Sequence, residues 1–517
     1  TMNAMQRIEL EPVQGSMTLS ARSGVFPEGG VAVTAPETIG DVEDVLLNFP
    51  GFEPRWSGPD QAGVVGYQIG NEKVRVEVRA VPFCDHVDLW QGITNLTART
   101  LRHAFAFTCV NPVPVADRPG ERTYLATAKG PTRIADMRLT ASPRPLQVYM
   151  LQGRQDVRLR FVNAFKATCE TPAADSWIAT VAADGRRVVG VAAEQAAFLF
   201  NNGESGCIHS APDFGDVPPG ETRWALTRIY LMPGDLRTFI KRQAHDRQGL
   251  VPSLRAVTRD PAAIGFQAAE VWLPWADAGH LTLRFPETLA SSLGLLFIDH
   301  VRADMPPVVR AATLPDWRCD CATGALWYRL VLPNGVSFGA RITPMAGGAE
   351  LSFRVKNATG APLRSLVPQF CLVEDGAAPF TCGDLSRTYL CSGGRWLALA
   401  GTTHQVMDPR LAPWIIAGVR EKGPRSGASM PGAWYVCRER ADVPLIATTD
   451  AAGARAIGLT WEGGRSVMSN GRIPCLHADP AIGDAAPGET VVVRGRIFVV
   501  SEGLDALWRQ YRASSRQ

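Results

Sequence analysis

Two histidines stand in nearly the same phrase at widely separated points of the chain. His209 lies in CIHSAPDFGDVPPGET (Cys207 to Thr222) and His477 in CLHADPAIGDAAPGET (Cys475 to Thr490). An imidazole titrates near neutrality, so each is a candidate general acid or base. Arg122 and Tyr124 stand two apart in RTYL, and the same four letters return with Arg387 and Tyr389. On a strand that spacing puts both side chains on one face. Asp85 and His86 are adjacent in CDHVD, so on a strand they point to opposite faces and cooperate only across a bulge or turn. VWLPWADAGH offers Trp272 and Trp275 as flat apolar faces for sugar rings, with Asp277 and His280 to bond hydroxyls. Glu204, Asp213, Asp216, Asp375 and Asp408 supply carboxylates for hydrolysis, although sequence sets no distance between them.

These residues acquire a frame once the repetition is followed outward. The two phrases match without a gap at an offset of 268 residues. The same register joins Ile178-Ala179-Thr180 to Ile446-Ala447-Thr448, and Gly190 to Gly458. Upstream the offset drifts, pairing Arg79, Asn95, Thr97 and Cys109 with Arg341, Asn357, Thr359 and Cys371. So long a period means two related domains rather than a solenoid. The expected division is residues 1–249 and 250–517, packed as a pseudo-dimer. CDHVD, with Asp85 and His86, aligns with AGGAE in the other half, and the Trp272–His280 stretch has no counterpart, so both sets are particular to one half.

The elements that must position them read as strands. KVRVEVRAV (Lys73 to Val81) alternates charged and apolar residues, as a half-buried antiparallel strand does. VDLWQGITN and AELSFRVKN each end at Asn followed by a turn signal. ETVVVRGRIFVV is β-branched and leaves a Pro-Gly turn. The best helical spacings close each half: Leu236, Phe239, Ile240 and Leu504, Leu507, Trp508, Tyr511. The expected fold is all-β: two homologous large antiparallel β-sandwich domains in tandem, each closed by a short C-terminal helix.

Composition bounds the partners. Across 517 residues the net charge is only +3, giving no electrostatic case for nucleic acid or an anionic membrane. No apolar run reaches the length of a membrane span. Eleven cysteines, an odd number spread along the chain, read as buried thiols, and with no visible signal peptide they favour the cytoplasm. Cys319 and Cys321 form only CDC, short of a zinc spacing, so neither metal nor cofactor is expected. No GxSxG, Walker A, GxGxxG or HExxH occurs.

The strand ending in Asn-x-Thr, the Pro-Gly-Glu-Thr turn before a late strand and the size of each half resemble the galactose-mutarotase-like β-sandwich domains of carbohydrate-active enzymes. That resemblance implies a glycoside hydrolase or polysaccharide lyase working in a cleft on or between the domains. It implies that Tyr124 or Tyr389, or one of the histidines, removes the proton α to a uronate while Arg122 or Arg387 neutralises its carboxylate. The implied partner is a carbohydrate, and a homo-oligomer is left open. The competing expectations are a non-catalytic glycan-binding or assembly protein and a sugar epimerase.

Overall fold

Alternation in the sequence becomes alternation in space. In the strand Val74–Pro82, residues Val74, Val76, Val78 and Ala80 are buried, whereas Arg75 and Glu77 are exposed. It pairs antiparallel with His86–Asn95, which pairs in turn with Thr222–Pro233. The computed structural model describes the chain except residues 1, 5, 49–51, 113–119, 140–145, 156, 160–166, 258–266, 292–293, 299–313, 406–413, 421–434, 481 and 516–517. The protein is all-β, and it divides into residues 6–244 and residues 245–517, the latter joined by the first five residues. That joining is a strand pairing: Met2 and Asn3 run antiparallel to Cys319 and Arg318.

Among the described residues, the unit 6–244 holds an eight-stranded and a nine-stranded sheet. Their inner faces meet in one apolar core, with Leu19 and Val33 from the second sheet joining Val76, Leu89 and Ile229 from the first. The unit 245–517 holds a ten-stranded and an eleven-stranded sheet. Its interior is aromatic, with Phe370 stacked on Trp461 at 4.3 Å and Phe285 edge-on to both. Each unit is therefore a two-sheet sandwich held by burial of the alternating apolar face.

A helix closes each unit against the outer face of a sheet. Leu236–Asp246 drives Phe239 onto Gly190, where an added Cβ would lie 2.3 Å from the ring. Trp177 and Tyr230 flank that ring at 5.5 and 5.3 Å. In the other unit Gly503–Ser514 sets Leu507 on Gly458, where an added Cβ would lie 2.8 Å from Cδ1. A glycine in mid-strand, ordinarily unfavourable, is what lets a helix approach this closely. No helix among the described residues is long and apolar enough to cross a membrane.

Candidate functional site

The repeated polar residues fall into two groups. The first ties turns. Asn95 Nδ2 donates to the carbonyls of Arg99 and Val217 at 2.7 and 2.9 Å, and its Oδ1 accepts the Thr97 amide and hydroxyl. Asn357 repeats the arrangement with Ala361, Ala485 and Thr359. The Pro-Gly-Glu-Thr turns close on the same asparagines, Gly220 and Gly488 donating their amides to the carbonyls of Asn95 and Asn357. Asp216 and Asp484 accept the amides of His103 and Ser365, both left-handed (φ 48° and 52°). These side chains hold the late loop to the sheet.

The second group is buried. His209 is 2% exposed and stacks on Phe107 at 4.3 Å, with Phe200 edge-on at 4.8 Å. The pairing of Ile208 with Val110 sets Cys109 beside it. His477 is likewise buried, and the pairing of Leu372 with Leu476 sets Cys371 beside it. The Cys109 thiol bonds the Cys207 sulfur, and with His209 this holds Cys207 well below the ordinary thiol range against its burial. Cys109 is correspondingly pushed up. Cys371 and Cys475 divide in the same sense. Burial opposes a charge on His477, yet the Cys475 thiolate beside it prevails and carries the imidazole up to about 9.

Most of the remaining sequence candidates are engaged by protein partners. Arg387 donates to three backbone carbonyls, those of Pro379, Thr449 and Thr381, and Arg122 Nε donates to Val181 O at 3.2 Å. Tyr124 and Tyr389 are half-buried on strands paired through Ala179 and Ala447. Asp85 and His86 meet at 2.7 Å, so the turn before the strand lets neighbours cooperate. Asp85 also accepts from Arg242, which reaches down from the closing helix, and Asp88 pairs with Arg228 at 2.6 Å. Trp272 is buried, donates to Glu270 at 2.7 Å and stacks on His280 at 4.7 Å. Trp275 is half-buried beneath Arg455, whose guanidinium grips Asp277 through two bonds of 2.6 and 2.9 Å. Asp213 pairs with Arg154, and Asp408 lies outside the described residues.

An open aromatic face lies on the outer side of the eight-stranded sheet, beyond the end covered by the helix. The register aligns Gln68, Glu77, Gly92 and Trp224 in one row across four strands. The next row carries Gly66, Arg79, Trp90 and Leu226. A Cβ built on Gly92 would meet Cδ2, Cε2 and Cζ2 of Trp224 all at 2.9 Å. Equal distances to three ring atoms mean that the indole lies flat over Gly92. Its 37% exposure shows that it is open to solvent. Glu77 is exposed on the strand next to Gly92 and Gln68 on the strand beyond it, and Arg79 and Trp90 are half-buried. The matching row of the other unit reads Gly339, Arg354 and Val492, with no aromatic ring.

The sequence already placed Trp90 and Gly92 in an alternating strand. The missed signal was aromatic residues on the polar parity of that strand, set against Ser352, Arg354 and Val492 at the matching positions of the other half.

No family model and no curated protein matches the chain. Among solved structures it is similar to a galactose mutarotase related enzyme from Lactobacillus acidophilus (10% identity, 44% of this chain and 98% of that one, TM-score 0.25). A galactose mutarotase-like protein from Clostridium acetobutylicum aligns at 10% identity over 63% of this chain and 95% of that one, TM-score 0.25. A polysaccharide lyase aligns at 11% identity over 76% of this chain and 50% of its own length, TM-score 0.27. The chain thus bears a weak resemblance to these proteins.

Proposed function

We propose that this protein recognises a carbohydrate, built as two copies of one sandwich of which the first carries the saccharide site. The observation that supports the reading is the flat Trp224 ring on Gly92. The axial C–H bonds of a pyranose present an apolar face that matches an exposed indole, and stacking removes both from water. Glu77 and Arg79 on the next strand, with Gln68 beyond them, are donors and acceptors for the hydroxyls of a bound saccharide. Sites of this kind combine an apolar platform with a few placed polar groups. That the other unit has Val492 and Arg354 in the same row makes this face particular to one copy, as a site on a shared scaffold is.

Binding comes first in this reading because His209, His477 and His86 are buried in their own networks. Cleavage of the bound glycan is the second reading, favoured by the exposed Glu77 carboxylate directly opposite Gly92. Affinity electrophoresis through a panel of neutral and uronate polysaccharides tests both. Retardation by one class supports recognition, and no retardation by any polysaccharide overturns it. Reducing ends without ultraviolet-absorbing product would mark hydrolysis, and absorbing product would mark elimination.

A further inference from the structure

Neither the aromatic face nor the turn network uses the buried thiols and imidazoles. In residues 6–244, ligand atoms of Cys109, Cys207 and His209 all lie within 4.8 Å of one another, and in residues 245–517 so do those of Cys371, Cys475 and His477. All six residues are buried. Both sets are assembled alike: a Cys-x-His on one strand, with the second cysteine beside the histidine on its antiparallel neighbour. A carboxylate joins each from the next strand. The register breaks between Thr34 and Thr38 in one unit and between Arg284 and Thr288 in the other. Pro-Glu-Thr fills both breaks, where Glu37 hydrogen-bonds Cys109 and the Glu287 charge is felt by Cys475 and His477.

The surroundings of the two sets are not alike. Phe107, stacked on His209, corresponds to Gln369, and Thr34 to Arg284, which donates to Glu287 at 3.1 Å. Two thiols and an imidazole are thus kept together, with a carboxylate nearby, while their neighbours change. Burying such polar groups is costly unless something bonds them, and Nδ1 of both His209 and His477 has no hydrogen-bond partner. Thiolate and imidazole donors at this spacing suit a soft divalent cation. Tetrahedral zinc, with bonds of about 2.0–2.3 Å, sets its donors roughly 3.3–3.8 Å apart, a closure that small side-chain rotations provide.

We propose that each unit binds one thiophilic divalent cation, zinc by preference, through Cys109–Cys207–His209 and Cys371–Cys475–His477. Glu37 and Glu287 are the carboxylates at hand for the fourth position. Binding forms two metal–sulfur bonds and one metal–nitrogen bond, and protons still held by the thiols pass to solvent. Buried among core strands, both sites brace the sandwich rather than meet a substrate. This proposal is independent of the carbohydrate reading.

Metal analysis of the full-length protein, expressed with added zinc and passed through a desalting column, tests it. The expected content is about two equivalents per chain, falling to about one in Cys207→Ser or Cys475→Ser. Cobalt substitution of the unaltered chain is expected to give thiolate-to-metal charge-transfer absorption, which needs no variant to fold. Less than a tenth of an equivalent of metal with no such absorption would overturn the proposal. So would a Cys109–Cys207 disulfide found by mass spectrometry, or metal retained in full by both serine variants.

Discussion

Arg242, on the helix that closes the first unit, reaches the Asp85 carboxylate at the start of the strand His86–Asn95. Both side chains are buried, and His86 bonds the same carboxylate. The contact fastens the helix to the sheet it covers. Burial by itself would raise the Asp85 carboxyl, but Arg242 and His86 outweigh it and hold the group at about 2.

That depression sets an acid window. The folded value lies below the ordinary 3.8, so the stabilisation is complete above about pH 4–5 and is lost as pH falls towards 2. It amounts to about 2 kcal/mol, since each tenfold weakening of proton binding corresponds to roughly 1.4 kcal/mol. Urea unfolding of the wild type at stepped pH should show this loss, and Asp85→Asn should be less stable at neutral pH with a flatter acid limb. An unchanged acid limb in Asp85→Asn would count against the assignment.

The helix also depends on Phe239 filling the space that Gly190 leaves. Phe239→Ala removes a fully buried ring and should cost about 3–5 kcal/mol. Gly190→Ala should be destabilising too, because the new Cβ meets the ring. Chemical denaturation followed by circular dichroism reads both, and a loss under about 1 kcal/mol for Phe239→Ala would show that the helix is dispensable.

Asn95 and Asn357 make equivalent staples, so their substitutions should behave alike. Each alanine variant strands one buried carbonyl, that of Val217 or Ala485, and frees the turn threonine, a cost of about 2 kcal/mol. Thermal melts should place Asn95→Ala and Asn357→Ala within a few degrees of each other in their loss. An effect confined to one of the two would mean that their surroundings, rather than the staple, decide it.

Much of this was legible in the sequence, for reasons particular residues show. The alternation of Lys73 to Val81 and the helical spacing of Leu236, Phe239 and Ile240 are local patterns, and local patterns survive folding. The Asn-x-Thr turns were equally readable, since the bonds inside each turn span at most four residues. The bonds from Asn95 to Val217 and from Asn357 to Ala485, by contrast, are long-range. The Cys–Cys–His sets were harder. Cys109 and Cys207 are 98 positions apart in the sequence, and only the strand pairing joins them. Glu37 was further hidden because Pro-Glu-Thr recurs at a different offset from the long phrases. Trp224 escaped because a tryptophan in a strand reads first as core. Only the register, which sets it on Gly92 on the polar side, shows it as surface.

The proposed saccharide site centres on the Trp224 ring. Isothermal titration of the best-retained oligosaccharide from the polysaccharide panel into wild-type protein, Trp224→Ala and Val492→Ala tests it most directly. The predicted result is binding weakened at least about tenfold in Trp224→Ala, equivalent to about 1.4 kcal/mol, with its melting temperature nearly unchanged. Val492→Ala, altered at the matching position of the other unit, should bind as the wild type does. Wild-type affinity in Trp224→Ala would contradict the placement of the saccharide on this face.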